Sequence, residues 1–428
     1  MLAAILGVPI AALAYFFLAL VSHLQTWVFE DLPEHLGFAS EPVWWPLLPL
    51  ALAGVLVALT IAHAPGRGGH SPADGLKVGG GPAPGEALPG IALAALAGLA
   101  LGAVIGPEAP LIALGGGLAA YAVRRARSDT PDQTLTVVAA AGSFAAISTL
   151  LGSPLVAAFL LMEAAGLGGA MMGVVLLPGL LAAGIGYLIF VGLDSLTGLG
   201  TFSLVIPEVT PLGRPTLTEF FWAIAIGLAA AILCFAIRWL ALTIRPHVEQ
   251  RILRMTPVLG LVIAGLAIVY AEVTNHPSSN VLFSGQAALG PLVGNAATYS
   301  VGALVLLVAC KGLAYAVSLS GFRGGPVFPA MFLGAAGGIA LSHLAGLPMI
   351  AGVGMGIGAM FCAMLGLPLT AVLLSGVFMV NAGPNLLPLI IVAVVVAYVA
   401  RARLFTRLPA ASATDAQPAG TSSGVRPA

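Results

Sequence analysis

Gly106-Pro107-Glu108-Ala109-Pro110, the run GPEAP, sets a carboxylate between two prolines, with an apolar run over residues 91–105 before it and another reaching residue 123 after it. Proline interrupts a helix by removing a backbone donor and clashing with the preceding turn, so two half-length segments meet at Glu108. The surroundings of that junction decide what the carboxylate is for.

Those surroundings are lipid. The chain has 428 residues, of which 59% are hydrophobic and 7% charged, with a mean hydropathy of +1.06. A soluble chain of this length needs far more charge on its surface. Apolar runs of about 17 to 25 residues, long enough to cross a hydrocarbon core, recur throughout; roughly ten or more are expected, several of them interrupted. The first, residues 2–21, lacks a basic leader and an A-x-A cleavage site, so it reads as a retained membrane helix rather than a targeting segment.

At bilayer depth a carboxylate costs about 2.5–3.5 kcal/mol on insertion scales, so Glu108 needs a reason to be there. A salt bridge to a neighbouring helix is one, and a cap on its own helix is another. The third is functional. The start of a half-helix exposes free N–H groups and a partial positive charge that attract anions. A carboxylate there occupies the anion site when ionised and leaves it when protonated or displaced, which makes a gate.

The second half carries its own Gly/Pro break, residues 321–329, inside an apolar stretch. Paired interrupted segments point to two inverted halves, about residues 1–200 and 215–404, with an ion site where the broken helices meet. The expected class is an all-α membrane protein of many tilted and broken helices, a single unit over residues 1–404. The Ala-, Ser-, Thr-, Gly- and Pro-rich residues 405–428 read as a disordered cytoplasmic tail.

Net charge is zero, so the position of the charges is what informs. Arg67 and Lys77 share one loop, Arg124, Arg125 and Arg127 another, Arg245, Arg251 and Arg254 a third, and Arg401, Arg403 and Arg407 flank the tail. The positive-inside rule puts these segments, and both termini, in the cytoplasm. Glu30, Asp31, Glu34, Glu41, Asp194, Glu208 and Glu272 then fall outside. Cys234, Cys310 and Cys362 share no spacing suited to a disulfide framework or a metal cluster and read as packing residues. Lys311 and Arg323 are the other charges near apolar segments. Lys311 either adds positive potential near a pore or snorkels to an interface, the second being preferred.

Around Glu108 the chain resembles the CLC family of chloride channels and chloride/proton antiporters, through nearly all of the membrane part and in order. Gly106 to Pro110 is similar to the family's G-[KR]-E-G-P motif, followed by the glycines Gly115 to Gly117. Gly324 to Pro329, followed by Ala330-Met331-Phe332-Leu333-Gly334, resembles G-G-x-F-x-P. Pro154-Leu155 through Met162-Glu163, and Pro368-Leu369-Thr370, look like two further landmarks. The resemblance implies a homodimer with one anion pathway per subunit, chloride as substrate and no cofactor. It implies anion contacts at Gly106, Pro107 and Ala109, at Gly69 and Ser71, and at Gly325, Val327 and Phe328.

Departures from the family pattern matter as much. Pro107 replaces a basic residue, and Ala109 a glycine. Gly69 stands at the family's serine, leaving Ser71 either to supply the hydroxyl or to be an ordinary turn residue with His70. Pro326 lacks an N–H where the family offers one. The central tyrosine falls near Ala382 or Gly383, neither of which has a hydroxyl. Ala164 occupies the position of the antiporters' second, proton-accepting glutamate, and Glu163 matches a glutamate common to channels and antiporters, as a structural carboxylate or an alternative proton route.

These features favour a passive chloride channel or uncoupled pathway gated by Glu108. The alternative is a chloride/proton antiporter whose proton route avoids a carboxylate at Ala164. An enzyme is not expected, since no nucleophile with a base and no aspartate pair lies at membrane depth. Metal and nucleic-acid partners are likewise not expected. The implied location is a bacterial inner or plasma membrane.

Overall fold

In the computed structural model, residues 2–76, 81–166, 169–198, 206 and 211–409 are described. Lys77, Glu208 and tail residues 410–428 lie outside them. The architecture is helical: α1 (Leu2–Thr26), α2 (Leu32–His35), α3 (Leu47–His63), α4 (Leu88–Ala100), α5 (Glu108–Ala126), α6 (Asp132–Leu151), α7 (Pro154–Ala164), α8 (Gly169–Thr197), α9 (Leu217–Gln250), α10 (Ile252–Thr274), α11 (Leu289–Gly294), α12 (Val301–Gly321), α13 (Val327–Ser342), α14 (Met349–Leu365), α15 (Pro368–Phe378) and α16 (Leu387–Leu404). Among the described residues seven helices are long and apolar enough to span a bilayer, and six more are shorter and apolar. Large apolar side chains such as Leu52, Leu56, Leu228, Ile232 and Val395 are exposed on the outside. Such a surface suits hydrocarbon rather than water, and the chain is an integral, multi-pass membrane protein.

The two halves repeat one series. Each has a helix that starts at a Gly/Pro break (α5, α13), a second helix packed along it (α6, α14), and a short helix that follows at once (α7, α15). The joints are alike: Gly152 and Gly366 end α6 and α14 in the left-handed region, which glycine adopts without strain. Two residues later Pro154 and Pro368 open the next helix, where a missing N–H costs nothing. Glycines let the paired helices touch backbone to backbone: a side chain at Gly115 would run into the Gly142 carbonyl, and one at Gly334 into that of Gly356. Association of helices in lipid relies on such close approach.

Three differences from the sequence reading have physical causes. The helix before Glu108 stops at Ala100, and residues 101–106 run on without helix through Gly102, which has φ +103°. Arg245 is a helix residue rather than a loop residue, because α9 continues through Pro246 to Gln250. There it is buried against Asp74 and Glu249, with Arg245 Nε 2.6 Å from the Glu249 carboxylate. The ordered chain also passes residue 404: Phe405 lies beneath the guanidinium groups of Arg238 and Arg401, 5.2 and 4.5 Å from its ring centre. Cation–π contacts of that kind hold the first residues of the expected tail onto the helices.

Candidate anion site

The two breaks meet. Gly106 N donates to Gly325 O at 2.7 Å and Gly325 N to Gly106 O at 2.5 Å, forming an isolated antiparallel bridge. On one side Pro107 precedes α5, on the other Pro326 precedes α13, so Gly-Pro leads into a helix twice over. Both helices begin beside the bridge, which gathers free amides and two positive helix ends in one place.

Glu108 lies in that place, fully buried. Its Oε1 accepts from the amide of Phe328, on the opposite half-helix, at 2.9 Å. Val327 opens α13 and Glu108 opens α5, so their amides lie at the same pair of helix starts. Among the described residues, Oε2 is buried without a hydrogen-bond partner. A Cβ at Gly106 or Gly325 would stand where the carboxylate oxygens are, so glycine at both positions is what leaves them room. Ala109 N lies 3.1 Å from where a Gly325 Cβ would be. Gly106, Pro107, Glu108, Ala109, Gly325, Val327 and Phe328 thus form one cluster drawn from both halves.

The serine loop is placed separately. Gly69, at φ +92°, faces Ile91. Ser71 is buried, and among the described residues its hydroxyl has no hydrogen-bond partner, which leaves a donor free for a ligand. Arg323, half-buried, donates to the Arg67 carbonyl at 3.4 Å and so ties this loop to the second break. Ala382 is buried, and its carbonyl accepts from the Leu212 amide at 2.9 Å.

Glu163, half-buried at the end of α7, accepts at 3.0 Å from Leu369 N, at 2.8 Å from Thr370 N and at 2.6 Å from Thr370 Oγ1. It caps α15, the free amides at a helix start being natural partners for a carboxylate. Ala164, next to it, is partly buried against the apolar core.

Lys311 does not snorkel. It is fully buried, and Nζ donates to the carbonyls of Asn280, Val281, Leu282 and Phe283 at 3.0, 3.0, 2.9 and 3.3 Å. It also sits 4.5 Å above the Phe332 ring. Four carbonyl dipoles and an aromatic face replace the water a buried ammonium would otherwise need. On the same helix Tyr315, fully buried, donates its hydroxyl to the Pro326 carbonyl at 2.6 Å. Ser318 Oγ accepts from Val104 N at 3.0 Å. Sequence reasoning passed over Tyr315 and Ser318. The available signal was polar residues at i, i+4 and i+7 from Lys311, one face of an apolar helix.

The family model described as voltage gated chloride channel matches residues 50–401. YfeO of Escherichia coli O139:H28, provisionally named an ion-transport protein, is 30% identical over 368 residues, 85% of this chain and 82% of its own length. YfeO of Escherichia fergusonii matches to the same extent, 30% identical over 85% of this chain and 82% of its own. Among solved structures, that of a slow cyanobacterial Cl⁻/H⁺ antiporter has a TM-score of 0.78 at 18% identity, covering 95% of each chain. That of a CLC-type fluoride/proton antiporter has a TM-score of 0.64 at 21% identity, covering 93% of each.

Proposed function

The chain belongs to the CLC family, matched by the voltage gated chloride channel model over residues 50–401, and from that premise we propose that it exchanges a small monovalent anion, chloride first, for protons, with Glu108 as the group that does both. Family membership makes it an ion-transport protein and not an enzyme.

The observation that carries the reading is the half-satisfied carboxylate. Glu108 fills a pocket of amides and helix N-termini suited to an anion, held through one oxygen with the other unpartnered. An incoming anion competes for the Phe328 amide, and protonation lets Glu108 give it up. Each exchange of carboxylate for anion then moves a proton one way and an anion the other. Gly106, Pro107, Ala109, Gly325, Val327 and Phe328 shape the pocket, and Ser71 offers its free hydroxyl.

Exchange takes precedence over the passive channel favoured on sequence because both structural neighbours described above are named as anion/proton antiporters. With alanine at position 164, the proton route needs either Glu163 or water on the side of the second carboxylate. The passive pathway is the second reading, favoured by that same Ala164 and by the absence of a hydroxyl at Ala382 and Gly383. The remaining elements are a homodimer with a pathway in each subunit, both termini in the cytoplasm and a bacterial inner membrane.

The test uses purified protein in liposomes, with voltage clamped by potassium and valinomycin. Under exchange, an imposed chloride gradient drives protons uphill. Chloride efflux without any linked proton movement would instead establish the passive pathway. Repeating the assay with fluoride and nitrate orders the anions.

A further inference from the structure

Three buried polar side chains on α12 have no place in the exchange reaction as described; a fourth, Ser320, bonds back to its own helix at the Val317 carbonyl. Lys311, Tyr315 and Ser318 are spaced i, i+4 and i+7 and share one face. Each reaches a backbone segment outside its own helix. Ser318 holds Val104, two residues before Gly106. Tyr315 holds Pro326, the residue after Gly325. Lys311 gathers the carbonyls of residues 280–283.

The third contact leads back to the first two. Phe283, a non-glycine residue at φ +60°, donates its amide to the Gly102 carbonyl at 3.2 Å, on the same segment that Ser318 holds. Its ring meets Phe29 edge-on at 4.9 Å. Lys311 also lies on Phe332, one helical turn along α13 from Phe328, whose amide holds Glu108. A left-handed non-glycine residue is a strained conformation that persists where its surroundings hold it, and the ammonium bonded to its carbonyl is such a surrounding.

We propose that this face of α12 is the positioning frame of the anion site: Tyr315 and Ser318 hold the two segments that flank the Gly106–Gly325 bridge, and the caged Lys311 ammonium anchors the 280–283 loop that braces the first of them. The proposal rests on the anion pathway assigned above. The three are positioning residues, since they act on the ligand through backbone they hold in place. Pre-set amides lower the cost of receiving an anion, so loosening the frame weakens anion binding before it slows passage.

The experiment measures flux against chloride concentration for the unsubstituted protein, Tyr315→Phe and Ser318→Ala, beside their melting temperatures. Removing one buried hydrogen bond that orients the site raises the half-saturating chloride concentration about tenfold in Tyr315→Phe, and about threefold in Ser318→Ala, with maximal flux changed by less than about twofold. Half-saturation unchanged in both variants, with only the melting temperature lowered, overturns the frame. For Lys311→Ala, flux is lost and recovers on adding propylammonium, which supplies the missing chain and charge, but not on adding neutral propanol. Recovery with both or with neither overturns the anchoring role. If Lys311→Ala does not fold, the Tyr315 and Ser318 results alone decide. Absence of flux in the unsubstituted protein would remove the pathway itself, a failure distinct from that of the frame.

Discussion

Glu108 and Glu163 are the same device built to two different degrees of completion. Each is a carboxylate presented to the N-terminus of a helix in the other half of the chain, Glu108 to α13 and Glu163 to α15. Glu163 accepts three hydrogen bonds, two from amides and one from the Thr370 hydroxyl, through both oxygens. Glu108 accepts from Phe328 through Oε1, and its Oε2 is buried with no partner among the described residues. Hydrogen bonds to charged groups are worth about 1.5–3 kcal/mol each, and a buried polar atom left unmade costs about 1–3 kcal/mol. A saturated carboxylate holds its helix in place. A half-saturated one, fully buried, has less to lose on leaving and something to gain on taking up a proton.

Substitutions at the two positions should therefore divide into functional and structural effects. Glu108→Gln has the largest expected effect: proton coupling disappears, and anion flux becomes insensitive to pH, while the melting temperature changes little. Gly325→Ala comes next. Its methyl group would take the space of Oε2, so the carboxylate is displaced, the anion leak at neutral pH rises several-fold by analogy with a permanently opened gate, and the increase vanishes in a Glu108→Gln background. Glu163→Ala should leave proton coupling in place and destabilise the protein by about 2–4 kcal/mol, read as a lowered melting temperature in detergent, because the α15 amides and Thr370 lose their acceptor. Loss of coupling in that variant would make Glu163 part of the proton route. Thr370→Val, which removes one of the three bonds, should cost about 1 kcal/mol without altering flux.

A third carboxylate, outside the membrane-spanning helices, sharpens the contrast at the smallest scale. Burial pushes the Glu41 carboxyl up to about 7, against the lowering effect of its Ser278 hydrogen bond and with a further rise from Glu30. Since the folded state binds this proton more tightly than the unfolded chain, its contribution to stability is present below the unfolded value of 4.5 and is lost as pH rises through about 7. Glu41→Gln should flatten the fall in melting temperature between about pH 5 and about pH 8, with no change in coupling.

Much of this was legible before any coordinates. The two Gly/Pro breaks are marked by residues whose backbone chemistry permits little else, so the half-helices and the placement of Glu108 between them follow from 106–110 and 321–329. What could not be read depended on partners distant in sequence. Phe328 as the donor to Glu108 lies 220 residues away, and the Glu163 contacts with α15 span 206 and 207 residues. Lys311 was misread because snorkelling is the general fate of a lysine in an apolar segment, whereas here the 280–283 loop turns four carbonyls inward to receive it. Sequence reports that a charge is buried in an apolar run but not that a loop has been bent to satisfy it. Arg245 was grouped with Arg251 and Arg254 in one loop, yet the helix continues past Pro246, with Arg245 held by Asp74 and Glu249.

The central claim is that the incomplete carboxylate, and not the saturated one, carries the proton. Anion efflux and proton uptake recorded together from liposomes containing wild-type, Glu108→Gln or Glu163→Gln protein test it directly. The account predicts a fixed proton-to-anion ratio for wild type and Glu163→Gln, and anion flux without protons for Glu108→Gln. An unchanged ratio in Glu108→Gln would contradict it.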